Sequence, residues 1–349
     1  MTPTVLILTT VHGPDDTRIR EKLARTLSGR MTVRYATRRP GPTDATGLEW
    51  VPLKGGRLRR NLGAWRRGFT AKYDVLSLHD PETILLGVAV RLIRRKPVVF
   101  DLHEDLHSQI RTKVPWLLRP LLHGVAWLLL RLAGASLTIT LAEAGYARRF
   151  KRPGPVFPNH PDPGRLPEIS PQRRKVVTYV GDVTEMRGIP EAIEAAGRSG
   201  LPFEVIGRID ARTRERLGSV AAMAGADVSM VGPLSHPEAM ERAATASVGI
   251  SPLRDLPNYR ESLPTKVLEY LALGVPVVAT DLPGTRRVIG DLDAVWLVPP
   301  GDTMAMAHAL TEAVREEAIA TATAQAGEIR ARFRWDADAV GALYLSTVR

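Results

Sequence analysis

The sequence predicts an α/β fold of two doubly wound, Rossmann-like parallel-sheet units in series, on three observations. Short apolar runs rich in Val and Ile alternate with helical stretches along the chain, the pattern of strands buried on both faces by crossover helices. The alternation stops at the proline-dense stretch Pro153 to Pro171 and restarts at Val176. So many prolines suit neither a helix nor a central strand and read as an interdomain connection. The length of 349 residues exceeds one ordinary core and suits two.

Val5 to Thr10 reads as the first strand, and Asp16 is placed to cap a helix from Thr17 to Ser28 that Gly29 ends. Strands follow around Val33, Trp50, Val75 and Val98. The second unit opens with Val176 to Val180, a loop and a helix from about Pro190, and continues with strands near Val205, Val228, Val248, Val277 and Val295. Ligands of such sheets bind at the carboxyl ends of the strands.

Val114 to Ala142 is apolar, but Arg119, Pro120, His123 and Arg131 break the continuity that a spanning helix of about 20 apolar residues needs. It reads as a buried helix, kinked at Pro120, that leads into a strand from Ser136 to Thr140. The other reading is a helix lying in a membrane interface, helped by Arg57, Arg59, Arg60, Arg66 and Arg67 with Trp65 among them.

A hydrophobic content of 44% with 24% charged residues is that of a soluble globular protein. Without cysteine there are no disulfides or thiolate metal sites, which permits a reducing compartment. No basic region followed by an apolar run precedes the first strand, so the expected location is cytoplasmic. Charge is uneven: residues to Arg165 hold 28 Lys and Arg against 13 Asp and Glu, and the remainder is net acidic. A basic first half suits anionic lipid, a phosphorylated acceptor or nucleic acid, or is Arg-rich with no such partner.

The stretch Asn258 to Thr280 carries the chemistry. Glu261 and Glu269 flank seven residues with Pro264 near the start of a helix, Gly274 supplies a left-handed stop, and Val277 to Thr280 reads as a buried strand. Glu261 then lies before the helix and Glu269 on its body. Between them stand the amides of the helix N-terminus, a ready anion site, and Lys266, a cation that a bound phosphate would reconcile with the helix dipole.

This string resembles the Glu, seven residues, Glu segment of the GT-B glycosyltransferases of the large, mostly retaining family that uses nucleotide-sugar donors. Four further segments share the resemblance, which then spans nearly the whole chain: HGPDDTRI from His12, His79-Asp80-Pro81, FDLHED from Phe100 to Asp105, and YVGDVTEMRGI from Tyr179. The resemblance implies the GT-B fold: an acceptor-binding domain over residues 1–160, a donor-binding domain over 161–333, and a closing helix over 334–349 that crosses back to the first domain. Pro158-Asn159 matches a segment of the family at the connection.

Carried over residue by residue, Glu261 contacts the donor sugar, Ser262, Leu263 and Thr265 lie in the loop at the phosphate, Glu269 binds ribose hydroxyls, and His103 lies close to the reaction centre. Arg187 matches the Lys that grips the diphosphate, and His12-Gly13 and Gly181 bring backbone loops near it. Where the family has a glycine-rich loop, this chain has Ser262-Leu263-Pro264-Thr265-Lys266, and where it has an Arg after the first glycine of the later loop, this chain has Asp182. Lys266 or Arg208 would supply that charge. Arg18, His79 and Asp80 would face the acceptor, Asp80 either orienting its hydroxyl or capping the helix after Pro81.

The expected reaction is sugar transfer from a nucleoside diphosphate to an acceptor hydroxyl, with retention, and with stabilisation of the departing diphosphate as the main demand. The nucleotide sugar is the co-substrate, the acceptor is lipid-linked, a glycan or a small molecule, and no permanent cofactor is implied. A metal held by the HEDLH run from His103 to His107 lacks the second Glu-x-x-His of a zinc helix, and the family needs none. Neither the loop after the first strand nor that at Gly181 carries Gly-x-Gly-x-x-Gly, which speaks against a nicotinamide enzyme. Two alternatives stand: a nucleotide-sugar epimerase of the same fold, and a non-enzymatic basic protein binding a membrane or polyanion. No nucleic-acid motif or aromatic stacking platform supports the last.

Overall fold

The computed structural model describes residues 2–41, 47–104, 106–261 and 264–348. It divides into two compact units, Met1–Asn159 with Trp335–Arg349, and His160–Arg334.

The first unit holds β1 (Thr4–Leu8), β2 (Thr32–Thr37), β3 (Glu49–Pro52), β4 (Val75–Leu78), β5 (Val98–Leu102) and β6 (Thr138–Leu141). They form one parallel sheet in the order β3-β2-β1-β4-β5-β6. Successive side chains of a strand face opposite sides. Thus Leu6, Leu8, Leu76, Leu78 and Phe100 fill one core, and Val5, Ile7, Val75 and Val99 fill the other, with Trp335 and Tyr344. Each such fully buried side chain contributes about 1.5–3 kcal/mol.

The second unit repeats the plan with β7 (Arg174–Val180), β8 (Phe203–Ile206), β9 (Val228–Gly232), β10 (Ala246–Ser251), β11 (Val277–Thr280) and β12 (Val295–Val298). Its order is β12-β11-β10-β7-β8-β9, again all parallel. Strand order reverses between β1 and β4 in one unit and between β7 and β10 in the other. Those are the points where such sheets open a ligand crevice beyond the strand ends.

Four local expectations change. Asp16 does cap its helix, accepting from the Ile19 amide, but residues Thr17–Ala24 wind as a π-helix before Arg25–Ser28 turns α-helical. Gly29 ends that helix at φ −74°, in the right-handed region rather than through a left-handed turn. Ser136 closes the preceding helix, and the strand begins at Thr138.

The fourth change is the largest. The Arg119–Ser136 helix buries only Ala126, Leu130 and Ala133. Trp116, Leu117, Leu121, Trp127 and Leu128 are all more than half exposed. The expectation of a buried helix is overturned, because its apolar residues cover more than the one narrow stripe that packs on the unit. Pro120 produces no kink: it stands in the first turn, where its missing N–H costs nothing.

Candidate active site

In the first unit the loops after β1, β4 and β5 gather polar groups around Asp101. This buried carboxylate accepts from Arg18 Nε and Nη2, both at 2.8 Å, and from Thr140 Oγ1 at 2.9 Å. Arg18 also donates from Nη1 to the Phe157 carbonyl and lies over the Trp335 ring. Burial would push the Asp101 carboxyl up, but the guanidinium charge and its two bonds hold it well below the usual range. His79 is buried too. Its Nε2 meets Ser77 Oγ at 3.1 Å, which in turn meets Tyr344 Oη at 2.6 Å. Its Nδ1 stands 3.5 Å from Asp101 Oδ2, a charge contact too long for a good hydrogen bond. Burial lowers the His79 pKa and keeps the ring neutral.

His103 follows β5, with Nδ1 3.2 Å from the Asp101 carbonyl oxygen and Nε2 3.2 Å from Nε2 of His12. His12 Nδ1 is bonded to Asp16 at 2.8 Å, and its Nε2 is 3.6 Å from Asp80. Burial alone would lower the His12 pKa, but the hydrogen bond and charge of Asp16, with Asp80 and Glu104, outweigh it and raise it to about 9. His103 is raised for the like reason, Asp101 overcoming burial. Asp80 accepts from the Thr10 amide at 2.6 Å and makes no side-chain cap for the turn after it, so the capping reading is not realised. The Gly13 carbonyl accepts from the Asp16 amide and Tyr35 hydroxyl, which fixes the loop.

Two sets of donors lie close enough to share a cation: His12, His103 and Glu104, and His79, Asp101 and His103. In the second, both carboxylate oxygens already accept from Arg18, so a metal would have to displace a guanidinium. The HEDLH run does not gather, since His107 stacks on His123 instead, and Asp105 lies outside the described residues.

In the second unit the centre is Lys266, in the first turn of the Thr265–Ala272 helix. It is 7% exposed, and its Nζ has no hydrogen-bond partner among the described residues. The ammonium sits 3.6 Å from the centroid of the Tyr179 ring, a cation–π contact. Burial first and the charge of Arg187 second press its pKa well below the lysine range, against the pull of Glu269 and Asp182. Gly181, at φ +142°, would place a Cβ 3.0 Å from that Nζ. Arg187 is half-buried beside Tyr179, Tyr259 and Asp182. Its turn closes at Gly188, φ +76°, where a Cβ would lie 1.7 Å from the Pro252 carbonyl oxygen. Only glycine fits there.

Glu269 is buried and pairs with His236 Nε2 at 2.8 Å. Glu261 is exposed and accepts from Arg287 at 3.1 Å. Arg208 is bonded to Asp182 at 3.1 Å. Thr265 opens the helix, and its N-cap residue, Pro264, makes no side-chain cap bond. Ser262 and Leu263 lie outside the described residues.

Residues 166–330 match the model of the family "Glycosyl transferases group 1". This stretch, nearly half of the chain, is that of a group 1 glycosyltransferase. It is 26% identical over 301 residues to a phosphatidyl-myo-inositol mannosyltransferase of Mycobacterium leprae, covering 82% of this chain and 75% of that protein. Among solved structures, sucrose-phosphate synthase from Thermosynechococcus elongatus superposes with a TM-score of 0.78 at 18% identity, over 99% of each chain. HepE of Anabaena, solved with UDP and glucose, gives 0.76 at 14% identity, over 100% of this chain and 99% of that one. The two six-stranded parallel sheets are those of the GT-B fold.

Within this glycosyltransferase the structure brings together His103, His79, Asp80, Arg18 and Gly13 in one unit, and Arg187, Lys266, Gly181 and Glu269 in the other. Glu261 and Arg208 stand at exposed ion pairs. Arg18 departs furthest from its expected part, since Nε, Nη1 and Nη2 each bond to protein acceptors. Four residues escaped the sequence reading. Asp16 was read only as a cap, Asp101 only as a neighbour of His103, Tyr179 only as part of a motif, and His236 not at all. His236 had a local signal, as it follows Ser235 in a capping box with Glu238.

Proposed function

We propose that this glycosyltransferase moves a sugar, with retention, from a nucleoside diphosphate to an acceptor hydroxyl, and that the second unit holds the donor. The observation that carries the reading is the buried, unpartnered Lys266 ammonium beside Gly181 and Arg187. An isolated buried cation is costly, which is why the free amine holds its proton weakly, and a diphosphate set over Gly181 would supply the countercharge that lets it hold one. Arg187 and the amides of the Thr265–Ala272 helix would share it as charge grows on the leaving group. Glu269, oriented by His236, would accept from ribose hydroxyls. Glu261 would hold the sugar hydroxyls, and His103 would lie near the reactive carbon with Asp80 toward the acceptor. Binding of UDP and glucose by HepE supports a uridine donor as the first to try.

No step in this scheme calls for a metal. The exposed Trp116, Leu117, Leu121, Trp127 and Leu128, with the exposed Arg59, Arg66 and Arg67 on the same unit, support contact with an anionic membrane surface and a lipid-linked acceptor at the cytoplasmic face. The test is turnover of UDP-, GDP- and ADP-hexoses with lipid-linked and soluble acceptors, following the anomeric configuration of product by NMR. Release of an epimerised donor without acceptor, or no transfer from any of them, would defeat the reading.

A further inference from the structure

The His12 side chain carries none of the roles given above, yet its ring meets that of His103. Each of the two rings turns Nδ1 to an oxygen that brings no proton: Asp16 Oδ2 for His12, and the Asp101 carbonyl oxygen for His103, with Asp101 Oδ2 at 3.6 Å. Asp16 Oδ1 already accepts from the Ile19 amide, and Asp101 accepts from Arg18 and Thr140. Both carboxyls are held ionised, so both Nδ1 atoms carry hydrogen. The Nε2 atoms face each other at 3.2 Å. At that distance two N–H groups repel, as do two bare lone pairs, and a single proton between them is the one attractive arrangement. Three protons on four ring nitrogens leave one positive charge.

We infer that His12 is a positioning residue for His103: the rings share one proton between their Nε2 atoms and enter the reaction as a monocation. The inference rests on the reading that puts His103 beside the donor sugar. The pair is then no base for the acceptor hydroxyl. It has no N–H left to offer, since all three are engaged, and it acts through its one positive charge. The groups that face it are Asp16, Asp80 and Glu104 around His12, and Asp101, Arg18 and His79 around His103. Both imidazoles are pushed up by these carboxylates, but their contact admits one added proton, not two. A raised folded-state pKa means that the charge persists through neutral pH and is lost as pH rises through about 9.

Asp16→Asn tests this. Its amide oxygen keeps the cap on the Ile19 amide, while its NH2 donates to His12 Nδ1 and makes that ring neutral. The His12–His103 contact survives without its charge. Wild-type turnover should stay level through neutral pH and fall only near 9. In Asp16→Asn the fall should move toward the ordinary value of about 6.5, leaving turnover at about pH 8.5 at least roughly thirty-fold below its acid plateau. An unmoved alkaline limb would overturn the inference. 15N-histidine NMR of the full-length wild type, without substrate, is the second arm. Protonated Nδ1 on both rings and one joint titration near 9 would support the shared proton, whether or not the donor reading holds. Two independent titrations near 6.5, or a stoichiometric divalent metal retained on the Nε2 atoms after dialysis, would overturn it.

Discussion

The two units share a strand order and differ in how their polar clusters are balanced. In the first, the Arg18 guanidinium meets Asp101 on both oxygens, Asp80 is bonded to Thr10, and the His12–His103 pair is bracketed by Asp16 and Asp101. In the second, the buried Lys266 amine lies over an aromatic face without a hydrogen-bond partner among the described residues, and Arg187 together with burial outweighs the pull of Glu269 and Asp182. The first cluster is complete as folded and is held rigid by its own charges. On the proposed function the second would be completed by the donor's anion, which would offset the cost of burying that amine. The same scaffold would then carry one half balanced by its own charges and one half balanced by a ligand.

The largest effect expected is on the first unit. Arg18→Met strands the buried Asp101 carboxylate and should lower unfolding free energy by about 3–5 kcal/mol in urea titration. A loss below about 1 kcal/mol would mean the pair is not the keystone. The effect has a pH signature. Because the Asp101 pKa is depressed in the fold, its contribution is full above the unfolded carboxylate value and is lost as pH falls through the folded one. The difference between wild type and Arg18→Met should therefore shrink on the acid side.

Next comes Gly188→Ala, which drives a Cβ into the Pro252 carbonyl. The strain of about 1–3 kcal/mol should displace Arg187 and reduce turnover at saturating donor more than it reduces the melting temperature. His236→Ala leaves Glu269 without its orienting ring. Donor affinity measured by calorimetry should drop about tenfold or more, the worth of a hydrogen bond to a charged group. Equal affinity would remove both residues from the ribose site. The smallest effect belongs to Asp182→Ala. It cuts a half-exposed pair with Arg208 and should change stability by less than about 1 kcal/mol. It frees Arg208, so tighter diphosphate binding would show that this arginine stands in for the cation the family places beside Gly181.

The sequence carried the fold well, because most of the strands described are short runs rich in Val, Ile and Leu, and the proline-dense connection interrupts them cleanly. The left-handed stop at Gly274 was equally legible, and its φ is +67°. What it hid were matters of partnership. Asp16 shows a cap in sequence, while its second oxygen meets His12 Nδ1, a use that the capping pattern does not announce. Arg18 was read as facing the acceptor, and its ion pair went unseen because its partner lies 83 positions away on β5. The exposed apolar helix was misread as buried because hydrophobicity tells that a side chain avoids water, not whether the fold covers it.

The account turns on Lys266. Its pKa is depressed in the fold, so the unfolded chain binds the extra proton and the unliganded protein gains stability as pH rises toward the free lysine value. A bound anion reverses this and draws the proton back. Calorimetric titration of the full chain with UDP, GDP and ADP at about pH 8, in buffers of different ionisation enthalpy, reads both affinity and proton uptake. The prediction is one nucleoside diphosphate that binds with proton uptake. In Lys266→Met the uptake should vanish and affinity fall by roughly thirty-fold or more, while the unliganded protein melts no lower than wild type. Equal affinity in Lys266→Met, with no proton linkage in either protein, would contradict it.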